Sequence, residues 1–429
     1  MSQRASLGLD FGTTNSVATL IDSNGKSQAI GFSHAGESVD ACRSVLCFWR
    51  DDEGRVSKPM MEIGPWAIDQ FLELGGDCRF LQSFKTFAAS PLFVNTVIHN
   101  KAWSFEDLLS AYLRRFGERA GTPFPKRVFV GRPVRFAGTR SDDALAKSRY
   151  NAALTKAGFD DINHVYEPVA AAFFFAQRLE RDATILVADF GGGTSDFSII
   201  RFTRGTKSRS AEALAHRGIG IAGDNFDQRI IDNVVSPLFG KGTNYLSDGK
   251  TLPVPKAYYA RFAQWNQLSI MRYTRDYQDL IKLARQAVEP EKIEAFINFL
   301  DAEASYLLYR AVANAKAALS TARATEFTLA IGGRHLTKTL TRDDFQTWIA
   351  GDLADIDACV TDSLVAAGLD EGRIDRVFLT GGSSYVPAVK AMFDARFGAG
   401  KVETGDQFVS IAHGLSLIAQ EPDPTPWLA

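Results

Sequence analysis

Leu186-Val187-Ala188-Asp189-Phe190-Gly191-Gly192-Gly193-Thr194-Ser195-Asp196-Phe197 is the stretch on which the reading of this chain turns. An apolar run ends in Asp-Phe-Gly, a turn of glycine and threonine follows, and a second strand begins. A near copy stands at Leu7-Gly8-Leu9-Asp10-Phe11-Gly12-Thr13-Thr14-Asn15-Ser16-Val17-Ala18. The aspartates Asp10 and Asp189 are 179 residues apart, about one domain length. A single Gly-rich hairpin is commonplace and needs no ligand. Two with the same Asp-Phe-Gly-x-x-x-Ser order predict two related domains, each opening with strand, turn and strand.

The chemistry of each copy is similar. Glycine tolerates backbone angles that a Cβ forbids. A turn of Gly, Thr, Ser and Asn exposes N–H groups and hydroxyls in a concavity suited to anions. Asp10 and Asp189 cannot meet a phosphate directly, because like charges repel. They suit a hydrated Mg²⁺, which keeps several waters and needs only one or two carboxylates. Two such turns facing each other would clamp a triphosphate from both sides.

A third turn, Val377-Phe378-Leu379-Thr380-Gly381-Gly382-Ser383-Ser384, ends a strand and precedes a helix opened by Pro387. Its glycines let backbone approach a ligand, and the helix start favours negative charge. Gly218, Gly220 and Gly223 spell G-x-G-x-x-G. A dinucleotide site would need that motif inside a short βαβ unit, and here a long helical region follows. A protein-kinase reading of Asp-Phe-Gly fails because the chain has no His-Arg-Asp loop.

Composition excludes other classes. The 429 residues suit two or more domains. They are 45% hydrophobic and 23% charged with a net charge of −2, which argues against nucleic acid and membrane-surface binding. Cys42, Cys47, Cys78 and Cys359 form no C-x-x-C pair and read as small buried hydrophobes. The six histidines have no metal-ligand spacing. No signal peptide or membrane span is evident, and a cytoplasmic protein is expected.

Along the chain, Ser104 and Asp107 predict a capped helix to about Ala120. Val128–Gly131 reads as a buried strand, with helices at Ser141–Ala157 and Pro168–Leu179. Tyr258, Phe262, Trp265, Tyr273 and Tyr277 share one helical face, read as core packing in preference to a partner groove. One long helix is predicted from Pro290 to Ala322, and residues 421–429 read as a frayed tail.

These residues together resemble the ATPase domain of DnaK-type heat-shock chaperones, within the actin and sugar-kinase superfamily. Asp189 to Asp196 is similar to that family's second phosphate loop and Gly12 to Asn15 to its first. Val128-Phe129-Val130-Gly131-Arg132-Pro133 and Tyr166-Glu167-Pro168-Val169-Ala170-Ala171-Ala172 resemble its connecting segments. Gly414 resembles its second connecting helix. The implied fold is the two-lobed actin-like ATPase fold, duplicated ribonuclease-H-like α/β domains with a nucleotide cleft between them. Lobe I would be residues 1–183 with a returning helix at 406–420. Lobe II would be 184–405 with a helical subdomain at 236–322.

The resemblance implies ATP or ADP with Mg²⁺. It gives Lys85 in Ser83-Phe84-Lys85-Thr86-Phe87 the place beside the γ-phosphate. Glu167, with Asp10 and Asp189, would organise Mg²⁺ and the attacking water, and Pro133 would couple nucleotide state to lobe closure. Gly12, Thr13, Thr14, Asn15, Gly191, Gly192, Gly193 and Thr194 would hold phosphates. Lys316, Ser320, Gly381, Gly382, Ser383 and Tyr385 would hold the nucleoside, and Gly223 and Asp406 would also bind the nucleotide. Ala313 and Ala317 stand where the family puts a glutamate and often an arginine, and Tyr385 replaces an arginine, so base preference is open. The chain stops after the ATPase region, a pattern similar to the YegD group. The implied function is a slowly hydrolysing, Mg²⁺-dependent ATP switch with a protein partner. A nucleotide-binding scaffold with negligible turnover and a small-molecule kinase are the alternatives.

Overall fold

The computed structural model describes residues 4–51, 58–74, 77–137, 140–204, 209–302, 304–331, 334–405 and 409–429. The chain forms two compact units. The first comprises Met1–Asp69, Ser83–Gly223 and Leu353–Ala429; the second comprises Gln70–Gln82 and Asp224–Asp352.

Both copies of the repeated motif lie in the first unit, each at the heart of a sheet. The first sheet uses β1 (Ser6–Phe11), β2 (Asn15–Ile21), β3 (Ser27–Ala29), β4 (Arg127–Arg132) and β5 (Asp161–Tyr166) in the order β5-β4-β1-β2-β3, with the short strand Cys42–Arg43 also paired to β2. The second uses β6 (Ala183–Phe190), β7 (Ser195–Arg204), β8 (Arg209–Ile219), β9 (Arg376–Thr380) and β10 (Val402–Thr404) in the order β10-β9-β6-β7-β8. Two parallel neighbours lie on one side of the lead strand and antiparallel ones on the other in both sheets. The register is shared as well. Asp10 pairs with Val17 and Phe11 with Ser16; Asp189 pairs with Asp196 and Phe190 with Ser195. The duplication read in the sequence is a duplication of topology.

Near-continuous apolar runs such as Ile185-Leu186-Val187-Ala188 are buried on both faces, as lead strands covered by helices on each side must be. Four helices concern the site: α1 (Phe105–Ala120), α2 (Asp143–Ala157), α3 (Glu167–Ala176) and α4 (Ser410–Ala419). α1 starts at the expected reciprocal cap: the Asp107 N–H donates to Ser104 Oγ and the Ser104 N–H to Asp107 Oδ2. Gly121 and Gly158 end α1 and α2 in the left-handed conformation. α3 and α4 cross so closely that a Cβ on Gly414 would lie 1.7 Å from the Ala170 carbonyl oxygen. α4 also covers β1, because a Cβ on Gly8 would lie 2.6 Å from the Ala412 carbonyl oxygen.

The second unit is mainly helical. Phe239, Tyr259, Phe262, Phe296 and Phe299 form its aromatic core, with ring centroids 4.9–5.7 Å apart. The long helix expected at 290–322 is two helices, Pro290–Asp301 and Ser305–Thr321. The apolar stripe had hidden the break because each half has its own partner. Phe296 and Phe299 pack on Phe239 and Phe262, whereas the second helix runs along the strand Ala324–Ile331. The aromatic residues around 258–277 are likewise spread over three short helices and a turn between them, not one face. Phe262 and Trp265 are core, and Tyr273 is exposed.

The tail is a further correction. Residues 425–427 make a 3₁₀ turn. Trp427 packs edge-on against Phe173 at 4.9 Å, Leu428 bridges Val165, and the Ala429 N–H donates to the His164 carbonyl at 2.8 Å. The prolines disguised a segment that docks on β5, the edge strand of the first sheet. A large apolar ring and open edge groups supply the reason.

Candidate functional site

Both phosphate-type turns close in the same way. The Gly12 N–H donates to the Asn15 carbonyl and the Gly191 N–H to the Thr194 carbonyl, each at 2.9 Å. Gly12, Thr13, Thr14, Asn15, Gly191, Gly192 and Thr194 remain half-exposed, their polar groups at the surface of otherwise buried hairpins. The turns meet: a Cβ on Gly193 would lie 3.8 Å from Thr13 Oγ1 and from Thr86 Cγ2. That brings together both copies and the short 3₁₀ helix Phe84–Phe87 that carries Lys85.

Lys85 is 7% exposed and Glu167 5%. Their side chains pair at 2.7 Å. Lys85 follows Ser83, which sits in the left-handed region at φ 53°, a conformation uncommon for a non-glycine residue. Arg149 on α2 fixes the next segment, its guanidinium donating to the carbonyls of Phe87, Ala88, Ser90 and Phe93. Glu167 is the first residue of α3, directly after β5. Gly131 makes room for it, since a Cβ there would lie 3.1 Å from Glu167 Cγ.

The enclosed charge is mostly negative. Burial first, and then the Glu167 carboxylate, push Asp10 up to about 7 while Lys85 pulls it down. Burial, then Glu167, Asp10 and Asp196, push Asp189 well above the carboxylate range. Asp196 is pushed up to about 7 by burial and Glu167. Lys85 is raised in turn: burial works against its charge, and Glu167, Tyr150 and Asp10 outweigh it.

Such crowding fits a hydrated dication. Among the described residues, no three His, Cys, Asp or Glu side chains converge closely enough to hold a metal directly. Asp10 and Asp189 nonetheless interact, and Asp196 keeps a buried Oδ2 with no hydrogen-bond partner among the described residues. Carboxylates that reach a cation through its water shell have this arrangement.

The crowding also sets a pH dependence. Asp10 and Asp196 bind their protons more tightly folded, near 7, than at their ordinary 3.8. Their contribution to stability is full below about pH 4 and is lost as pH rises through 7. His164, lowered to about 4 by burial, and His216 and His413, also lowered, act oppositely, but only up to their ordinary 6.5. Without nucleotide or divalent cation, the melting temperature is therefore expected to fall between about pH 6.5 and 8.5. Thermal melts across that window check this, and a flat or rising profile contradicts it.

The sequence singled out Asp196 only as part of a motif. Its Oδ1 accepts the N–H groups of Val134 and Arg135 at 2.8 and 3.3 Å, tying the second turn to the residues just after Pro133. The signal was present: its counterpart by register in the first copy is the apolar Val17. Arg149 and Tyr150 carried no comparable signal.

Gly381 lies beside the second turn, with φ 81° and Phe190 backbone where a Cβ would stand, 2.1 Å from the Phe190 carbonyl oxygen. Gly382 and Tyr385 are exposed and Ser383 is buried. The expected helix follows with Pro387 in its first turn. The Gly223 N–H donates to the Gly191 carbonyl at 3.3 Å. Among the described residues β8, which carries Gly218, pairs antiparallel with β7 and with no parallel strand, so this G-x-G-x-x-G lacks the setting of a parallel βαβ unit.

In the second unit, Lys316 pairs with the buried Asp227 at 2.6 Å, and Asp227 also accepts from Trp265 Nε1 at 3.1 Å. Ser320 Oγ donates back to the Lys316 carbonyl. Ala313 and Ala317 lie on the same helix. Asp406 lies outside the described residues. No described helix is long and apolar enough to cross a membrane.

Comparison with known proteins gives the family. The profile of the family described as "Hsp70 protein" matches residues 144–250 and 283–421. The chain is also similar to "Chaperone protein dnaK" of Gracilaria tenuistipitata var. liui, with 24% identity over 418 residues. That alignment covers 91% of this chain and 56% of the length of the relative.

Proposed function

The chain belongs to the Hsp70 family, and from that premise we propose that it is an ATP-driven conformational switch that hydrolyses ATP slowly and acts on a protein partner. The fold is the family's actin-like ATPase fold, with duplicated α/β cores. The proposed lobes are residues 1–183 with the returning helix, and residues 184–405. A YegD-like placement rests on Gly131-Arg132-Pro133 and the enlarged stretch near 240–310.

The observation that supports this reading best is the pair of turns with one register and one closing hydrogen bond, brought against Lys85. In the proposed mechanism the glycine N–H groups and the Thr13, Thr14 and Thr194 hydroxyls hold phosphate oxygens. Mg²⁺ would supply charge neutralisation at the β- and γ-phosphates. Asp10, Asp189 and Glu167 would accept hydrogen bonds from its water shell, and Glu167 would orient the attacking water. Lys85 would stabilise charge on the transferring phosphoryl group, positioning and electrostatics being what such a transition state needs. Gly381, Gly382, Ser383, Tyr385, Lys316 and Ser320 would hold the nucleoside. Lys316 is already neutralised by Asp227, so it suits ribose hydroxyls better than phosphate.

ATP with Mg²⁺ is expected to stabilise the protein. At 100 times Kd a ligand contributes about 2.7 kcal/mol, or several degrees in melting temperature at roughly 2–4 °C per kcal/mol. Thermal melts with millimolar ATP–Mg²⁺ test the reading, and a folded protein that shows no shift contradicts it. GTP belongs beside ATP because Ala313 and Ala317 leave the base preference open. Nucleotide affinity without turnover would select the scaffold reading instead.

A further inference from the structure

Tyr150 is the largest polar side chain in the site that the proposed mechanism does not use. It lies on α2 directly after Arg149, which clamps the segment following Lys85. It is 1% exposed. Its ring is held by Phe11, Phe105, Phe136 and His164 at centroid distances of 5.7–6.4 Å. Its hydroxyl is fully enclosed and has no hydrogen-bond partner among the described residues. A buried hydroxyl without a partner costs stability, and a phenylalanine would avoid the cost.

The surroundings say what the hydroxyl can serve. Tyr150 interacts electrostatically with Lys85, Glu167, Asp10 and Arg132, and burial raises its proton affinity above the ordinary range, so it stays neutral. Lys85, enclosed with it, has three ammonium donors and makes one hydrogen bond among the described residues, to Glu167 Oε1. A buried hydroxyl with unused lone pairs and a buried ammonium with unused donors therefore lie within electrostatic reach of each other. Lys85 must turn from Glu167 if it is to meet a phosphate, and a second fixed acceptor would keep it aimed.

We propose that Tyr150 is a positioning residue for Lys85, its hydroxyl accepting an ammonium N–H when Lys85 leaves Glu167 for the terminal phosphate. This rests on the proposed nucleotide function. The proton balance is simple: no bond other than a hydrogen bond changes, and both groups keep their protons. Because the aim matters most when charge shifts on the phosphoryl group, Tyr150 acts on turnover and little on ground-state binding.

The test is Tyr150→Phe in the full chain, which keeps the ring and its packing. Single-turnover ATP hydrolysis is expected to fall about tenfold, with ATP affinity within about threefold of the parent. The ¹⁵N resonance of the Lys85 ammonium, assigned by its loss in Lys85→Arg, is expected to shift or exchange faster with ATP–Mg²⁺ bound. A melting temperature equal to or above the parent's certifies the fold. If the parent turns over, an unchanged rate or an unchanged resonance in Tyr150→Phe overturns the proposal. If the parent does not turn over, the ATPase reading fails separately, and the ammonium resonance alone decides whether Tyr150 holds Lys85.

Discussion

Lys85→Ala is expected to lose most ATP hydrolysis, on the order of 10²–10³ in rate, while still binding ATP. Lys85 is the cation enclosed with Glu167 and within electrostatic reach of Asp10. A charge aimed at the γ-phosphate counts most as negative charge redistributes in the transition state. Both glycine turns and the Gly381 loop remain to hold the ground state. The structure adds a second expected effect. Removing one member of a buried ion pair leaves the other uncompensated, at a cost of about 3–5 kcal/mol. The nucleotide-free variant should therefore melt earlier, and a hydrated dication should restore part of the loss. Single-turnover rates, referred to the fraction of protein with ATP bound, separate chemistry from stability. Hydrolysis at the parent rate would remove Lys85 from the mechanism and leave the fold untouched.

Gly414→Ala carries the other large effect, with a sign opposite to ordinary helix chemistry. Inside a helix, alanine is favoured over glycine by about 1 kcal/mol. Here the new methyl would lie 1.7 Å from the Ala170 carbonyl oxygen. That oxygen is backbone of a second helix, so no side chain can swing away. Overpacking typically costs 1–3 kcal/mol and occasionally more, and two rigid helices put this case at the upper end. The melting temperature is expected to fall by roughly 6–12 °C at 2–4 °C per kcal/mol. An unchanged or raised melt would mean that α3 and α4 do not cross as described.

The repeated motif was legible because its message is local. Strand alternation, a glycine turn and an acid at a fixed offset occupy a dozen residues, and the structure gives both copies the same register, Asp10 with Val17 and Asp189 with Asp196. The Ser104–Asp107 cap was local in the same sense. What escaped depended on distant partners. A helical stripe from 290 to 322 looks continuous until Phe296 and Phe299 are seen to pack on Phe239 and Phe262 while the second helix runs along the strand Ala324–Ile331. Trp427 looks frayed until Phe173 is placed beneath it. In the site, Glu167 and Lys85 are 82 residues apart; the resemblance to a family singled out each of them, and only the structure shows that they pair. Tyr150 had no such guide, because an unpartnered hydroxyl is visible only when everything around it has been positioned.

The packing of α4 on β1 has a consequence for the order in which the chain is made. Gly8 lies against the turn of helix around Ala412, so β1 is covered by a helix that the ribosome adds about 400 residues after it. At about 5–20 residues per second, β1 waits on the order of 20–80 s for its cover. During that time Leu7, Leu9 and their neighbours lack part of the burial they have in the finished molecule. A stall, a truncation or an early stop anywhere before residue 410 would leave the N-terminal sheet open, whatever the quality of its own sequence. Production of the folded protein should therefore be more sensitive to translation speed between β1 and residue 410 than the mildness of its composition suggests.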